Sequence, residues 1–203
     1  MDSGKQITQY LEELAQELTD LQVTIPFHML ITGGAYMLLQ QQRKSTLDID
    51  FTLLDISQHK IQPNTVFPIT IRKKEISGKK STVPYSAEFK QAVEMVAVRH
   101  KNLDDDWMND EAAVYLYDDA PHAEVMFWQS FGEIIYVYLP TMEYVFATKI
   151  AAYRPKDAED IQILTRALNI QTWEQAKAII DKFLLPDAQT FWEVGEKLED
   201  LFP

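Results

Sequence analysis

The stretch Leu30-Ile-Thr-Gly-Gly-Ala-Tyr-Met-Leu-Leu-Gln-Gln-Gln-Arg-Lys-Ser-Thr-Leu-Asp-Ile-Asp-Phe51 decides the fold. An apolar run, Phe27 to Ile31, stops at Gly33-Gly34, and a short helical pattern, Ala35 to Gln42, follows. A basic and hydroxyl cluster (Arg43, Lys44, Ser45, Thr46) then leads into Asp48-Ile49-Asp50-Phe51. Physically this reads as strand, glycine turn, helix, strand. Adjacent glycines leave backbone N–H groups uncovered beside the positive end of a helix, a natural place for phosphate. Asp48 and Asp50 fall on one face of the second strand, Asp48 to Leu54, roughly 6–7 Å apart along the chain. Ile49, Phe51 and Leu53 fall on the other face, so the alternation predicts open carboxylates and buried hydrophobes. Two carboxylates converging on one point suit a hard divalent cation such as Mg²⁺ or Mn²⁺, which takes its remaining oxygens from water and nucleotide phosphates.

Outside this stretch the apolar spacing predicts a helix over Ile7 to Leu21 and a helix over Ala87 to His100. It predicts strands over Ala112 to Tyr117, His122 to Trp128 and Glu133 to Tyr138. Ser57 to Pro84 holds a basic cluster (Arg72, Lys73, Lys74, Lys79, Lys80) around Ser77-Gly78 and reads as an inserted hairpin or loop. Its plain reading is solvated surface; its functional one is a flap against RNA or phosphate. Trp107, inside an acidic loop, reads as a core anchor rather than a base-stacking platform. From Thr141 onward the pattern is helical, with Thr141 as an N-cap and Pro155 as a break. The expected architecture is α+β: a mixed β-sheet core flanked by helices over 1–140, with a helical C-terminal region over 141–203 packed on it.

Composition narrows the function. The chain has 203 residues, no cysteine, 19 Lys and Arg against 31 Asp and Glu, and a net charge of −12. Disulfides and zinc–thiolate sites are excluded. No apolar run approaches the ~20 residues of a membrane span, and Met1 to Gln6 lacks a signal pattern, so a cytoplasmic protein without membrane partners is expected. So acidic a chain is a poor non-specific nucleic-acid binder, which disfavours tracking along DNA. A local basic patch for one RNA region, or a small-molecule or protein acceptor, remains open, as does the oligomeric state.

Gly33-Gly34, Arg43-x-Ser45-Thr46 and Asp48-Ile49-Asp50-Phe51 resemble the nucleotidyltransferase superfamily core, with its Gly-Gly or Gly-Ser turn followed by Asp-x-Asp. Within it the chain is most similar to the minimal bacterial branch related to the AbiEii-like toxins. Lys149-Ile-Ala-Ala-Tyr-Arg154-Pro-Lys-Asp157-Ala-Glu-Asp160 resembles that branch's Lys…Arg-x-x-Asp-x-x-Asp segment, and Asp106-Trp107-Met108-Asn109 its Asp-Trp-Leu-Asn segment. The resemblance implies transfer of a nucleoside monophosphate from a nucleoside triphosphate to an RNA end, such as tRNA, or to a protein hydroxyl. It also implies a toxin role paired with an antitoxin protein. It assigns catalysis to Asp48, Asp50, Lys149 and Asp160, and nucleotide binding to Gly33, Gly34, Arg43, Ser45, Thr46, Lys149 and Asp157. Metal binding falls to Asp48 and Asp50, with Glu124 as a third carboxylate. Two alternatives stand beside it: transfer to a small molecule of the aminoglycoside type, and an inactive nucleotidyltransferase fold acting as a binding module.

Overall fold

A computed structural model describes residues 1–56, 66–68, 73–76, 79–82, 86–110 and 123–203. The chain is a mixed α/β protein with a helical C-terminal half. It opens with α1 (Gly4–Asp20), capped by the Ser3 hydroxyl, which accepts from the Gln6 amide at 3.3 Å. Ile7, Leu11, Leu14 and Leu18 form its buried stripe, the spacing that the sequence pattern implied. Then come β1 (Phe27–Ile31), α2 (Gly33–Leu39) and β2 (Ile49–Leu53). A short edge strand, β3 (Val66–Pro68), and a hairpin, β4 (Lys73–Ile76) with β5 (Lys79–Thr82), precede α3 (Ala87–Arg99). After β6 (Met108–Asn109) the long hairpin β7 (Glu124–Phe131) and β8 (Ile135–Pro140) completes the sheet.

The main sheet has six strands in the order β3-β7-β8-β1-β2-β6. β1 runs parallel to β8 and antiparallel to β2, and β2 runs parallel to β6. One face carries Phe27 and Phe51, whose rings meet Phe89 of α3 at 4.9 and 5.6 Å. α1 packs on α3, and Arg99 pairs across that seam with Glu17 and, at 3.6 Å, with Glu13. The C-terminal helices are α4 (Met142–Ala152), α5 (Ala158–Ala167), α6 (Trp173–Phe183), α7 (Pro186–Phe191) and α8 (Val194–Leu201). Thr141 caps α4 by accepting from the Tyr144 amide at 3.2 Å. Tyr153, in the left-handed region at φ 45°, ends that helix, and a single 3-10 turn, Pro155–Asp157, leads into α5. α4 is buried on all sides because it packs against α5, α6 and α8, and Phe146, Ile150, Leu164, Phe183 and Leu198 share one core with the sheet.

The sequence boundaries need modest correction. The helix after the glycine turn begins at Gly33 itself and ends at Leu39, and Asp48 lies just ahead of β2 rather than on it. The strand expected over His122 to Trp128 starts at Glu124 and extends to Phe131, and the one expected at Glu133 starts at Ile135, with Gly132 turning between them at φ 55°. The run Ala112 to Tyr117, His122 and Ser77-Gly78 lie outside the described residues. Among the described residues no helix is long and apolar enough to cross a membrane.

Candidate functional site: a charged cleft at one end of the sheet

The chain brings its two sequence blocks together. Where β1 ends and β2 begins, the Thr32 amide donates to the Asp50 carbonyl at 2.9 Å, closing the last rung of the β1–β2 ladder beside the glycine turn. Gly33 sits at φ +61°, a conformation that costs any residue with a Cβ. A Cβ there would also drive into the Asp50 carboxylate, whose Cγ would be 2.8 Å away, and one on Gly34 would meet Thr46 Oγ1 at 2.5 Å. The glycine pair is therefore required by the close approach of its backbone to Asp50 and Thr46, quite apart from any ligand.

Across this corner come α4 and the 3-10 turn. A cleft of about 90 Å³ is lined by Arg43, Thr46, Asp48, Asp50, Lys149 and Arg154, with Gly34, Leu47, Lys156 and Asp157 completing its wall. Lys149 is buried, and its Nζ lies 2.6 Å from Asp157 Oδ1 and 2.8 Å from Asp160 Oδ2. Arg154 grips Asp157 from the other side, Nε to Oδ2 at 2.7 Å, and Arg43 reaches Asp160 at 3.3 Å. That last contact ties the loop before Asp48 to α5. Burial pushes the Asp157 carboxyl up, but the Arg154 hydrogen bonds and the Lys149 ammonium outweigh it and leave the group below its ordinary range.

The two leading aspartates differ. Asp48 is half-buried and braced: Thr46 Oγ1 donates to its backbone carbonyl at 3.1 Å and lies 3.5 Å from its Oδ1, and Asn109 Nδ2 lies 3.4 Å from Oδ2. Asp50 is 6% exposed, and its carboxylate accepts no hydrogen bond from any described residue. Burial raises its pKa, the neighbouring Asp48 raises it further, and Arg154, Lys156 and Lys149 only partly oppose them. The expectation that both carboxylates stand in the open thus fails for Asp50, because β2 is covered on both faces and all five of its residues are buried.

Four cations (Arg43, Lys149, Arg154, Lys156) and three carboxylates line the cleft, and Asp160 behind Arg43 and Lys149 makes a fourth, so positive charge is concentrated and balanced here within a chain of net charge −12. Asp50 meets solvent only through the cleft, and a carboxylate so largely cut off from water is costly unless a cation joins it. Asp50, with Asp48 beside it, therefore fits a hard divalent cation, and the surrounding cations fit phosphate oxygens.

No protein-family model, curated protein or solved structure matches this chain.

Two sequence-assigned residues stand apart. Glu124 is exposed at the start of β7, paired with Pro68 of the edge strand β3. Three strand spacings of ~4.8 Å separate β7 from β2, about 14 Å laterally, and among the described residues no three His, Asp or Glu side chains converge as a metal site. Ser45 is exposed and does not line the cleft. Conversely, Arg154, Lys156, Leu47 and Asn109 line or touch the site without having been assigned to it. Arg154 and Lys156 shared a segment with Lys149 and Asp157, which was signal enough; Asn109 was findable only through its anchor. Trp107 is 1% exposed, donates Nε1–H to the Val93 carbonyl at 3.1 Å and accepts the Ile49 amide at its own carbonyl at 2.6 Å. It is the core anchor expected of it, and it sets β6 beside Asp48.

Proposed function

We propose that this cleft transfers a nucleoside monophosphate from a nucleoside triphosphate to an acceptor hydroxyl, with an RNA end as the acceptor that the sequence resemblance implies. The observation that carries the reading is Asp50: a buried carboxylate that accepts no hydrogen bond from any described residue, beside Asp48, in a cleft whose wall also holds four cations. Asp48 and Asp50 would hold Mg²⁺ or Mn²⁺, which when bound supplies charge neutralisation at the reacting phosphate. Arg43, Arg154 and Lys156 meet the triphosphate's negative charge; Arg43 and Arg154 are already oriented by Asp160 and Asp157, so little is lost in ordering them. Lys149 is the hub that keeps both of those aspartates in place, and it contributes its own positive charge to the wall.

In the transfer, the acceptor hydroxyl loses its proton to solvent and its oxygen bonds to the α-phosphorus. The bond to the oxygen bridging to the β-phosphate breaks, and pyrophosphate leaves. A preformed positive wall stabilises the charge that develops on the phosphate oxygens. The small enclosed volume leaves the acceptor to approach from the open side, past the exposed Leu47.

Thermal melting tests the reading. Addition of Mg²⁺ with a mixture of nucleoside triphosphates should raise the melting temperature of the native chain and leave Asp48→Ala unmoved. Equal responses in both, or none in the native chain, would remove the reading.

A further inference from the structure

The neighbour of β2 on its outer side is β6, and its register sets Asn109 directly across from Asp50 and Met108 across from Ile49. This is the strand position from which a third acidic side chain would most easily reach Asp48 and Asp50, being one spacing away where Glu124 is three. It holds an amide. Asn109 Nδ2 lies 3.4 Å from Asp48 Oδ2, while Thr46 Oγ1 lies 3.5 Å from Oδ1, so both oxygens of Asp48 face neutral donors. Asp50 has no such donor. β6 is placed with care: Trp107 is buried to 1% exposure, bonded through its indole to Val93, and set edge-on to Tyr10 at 5.8 Å.

We infer that Asn109 is a positioning residue that aims Asp48 and, by standing where a third carboxylate would stand, limits the cleft to a single divalent cation. The inference rests on the reading of Asp48 and Asp50 as a cation pair. Two carboxylates balance one divalent cation; a second ion would need further negative charge, and among the described residues the one other carboxylate of the wall, Asp157, is already held by Lys149 and Arg154. These fixed cations occupy the electrostatic role of a second ion.

Manganese counting decides it. Mn²⁺ is titrated into the full chain and bound ion is measured from loss of the free-ion paramagnetic resonance signal, with binding that survives in Asp50→Asn subtracted as surface background. The native chain should hold one Mn²⁺ in the cleft. Asn109→Asp should hold two, and Asn109→Ala one, with affinity reduced about tenfold, as for loss of a residue that orients a ligand. Far-ultraviolet circular dichroism and melting confirm that each variant is folded. Two cleft ions in the native chain, or an Asn109→Asp variant still holding one at unchanged affinity, would overturn the inference while leaving Asp50 as a ligand. No difference between the native chain and Asp50→Asn would overturn the underlying reading as well.

Discussion

Asp50→Asn should make the metal-free protein more stable. The native residue is 6% exposed, accepts no side-chain hydrogen bond from any described residue and sits beside Asp48. An unsatisfied buried polar group costs about 1–3 kcal/mol, more when charged. Lys149, Arg154 and Lys156 return part of that, although the first two already serve Asp157 and Asp160. The isosteric amide removes the charge without opening a cavity, so the net gain should be about 1–2 kcal/mol. For a chain of this size that is a rise of about 2–8 °C in melting temperature. The pH dependence has a fixed sign. A carboxyl raised above its ordinary 3.8 binds its proton more readily in the folded state, so its penalty is absent at lower pH. It grows as pH climbs from the ordinary 3.8 through the raised value and is complete above it. Differential scanning calorimetry of both proteins in chelator, from acidic to neutral pH, reads this directly. Mg²⁺ should narrow the gap by stabilising only the native chain. An Asp50→Asn variant that melts at or below the native temperature at pH 7, or a gap that ignores pH, would refute the reasoning.

Other substitutions carry distinct expectations. Gly33→Ala forces a Cβ into a left-handed position against Asp50; it should cost about 2 kcal/mol or more in chemical denaturation and abolish cation binding. Lys149→Met leaves two carboxylates, each 2% exposed, facing one another with only Arg43 and Arg154 between them. It should cost about 3–5 kcal/mol, measurable as a lower urea midpoint, so lost activity there reports folding as much as chemistry. Asp157→Asn should lose stability at neutral pH but little in acid. A lowered carboxyl stabilises fully above its ordinary 3.8 and gives that up as pH falls through the lowered value, so the two urea midpoints should converge below that point.

Much of this was legible in the chain, for reasons that differ by residue. β1 follows the run Phe27 to Ile31 to the residue, because a strand covered on both faces writes itself as a nearly continuous hydrophobic run, broken here only by the buried His28. The glycine pair marked the turn, but its cause is the approach of Asp50 and Thr46, which are 17 and 12 positions further along the chain and become neighbours only by folding. Lys149, Asp157 and Asp160 share one sequence segment; the i, i+3 spacing sets the two aspartates side by side, and the chain reversal at Tyr153 and the 3-10 turn folds them back onto Lys149. Period-two alternation assigned the faces of β2 and misjudged the exposure of Asp50, since alternation says nothing of what covers each face. Glu124 lies three strands from β2 for a related reason: which strand lies beside β2 is a matter of sheet order, and that neighbour is the two-residue β6. So short a strand has no periodicity, and only the buried Trp107 next to it signalled that the segment was fixed.

The most direct test is label transfer. The native chain is incubated with each α-labelled nucleoside triphosphate, Mg²⁺ and total tRNA, alongside Asp50→Asn as control. Label should appear on RNA from at least one nucleotide with the native chain and from none with the variant, though the variant is the more stable protein. Label absent from RNA with all four nucleotides, or transferred equally by Asp50→Asn, would contradict nucleotidyl transfer to RNA in this cleft.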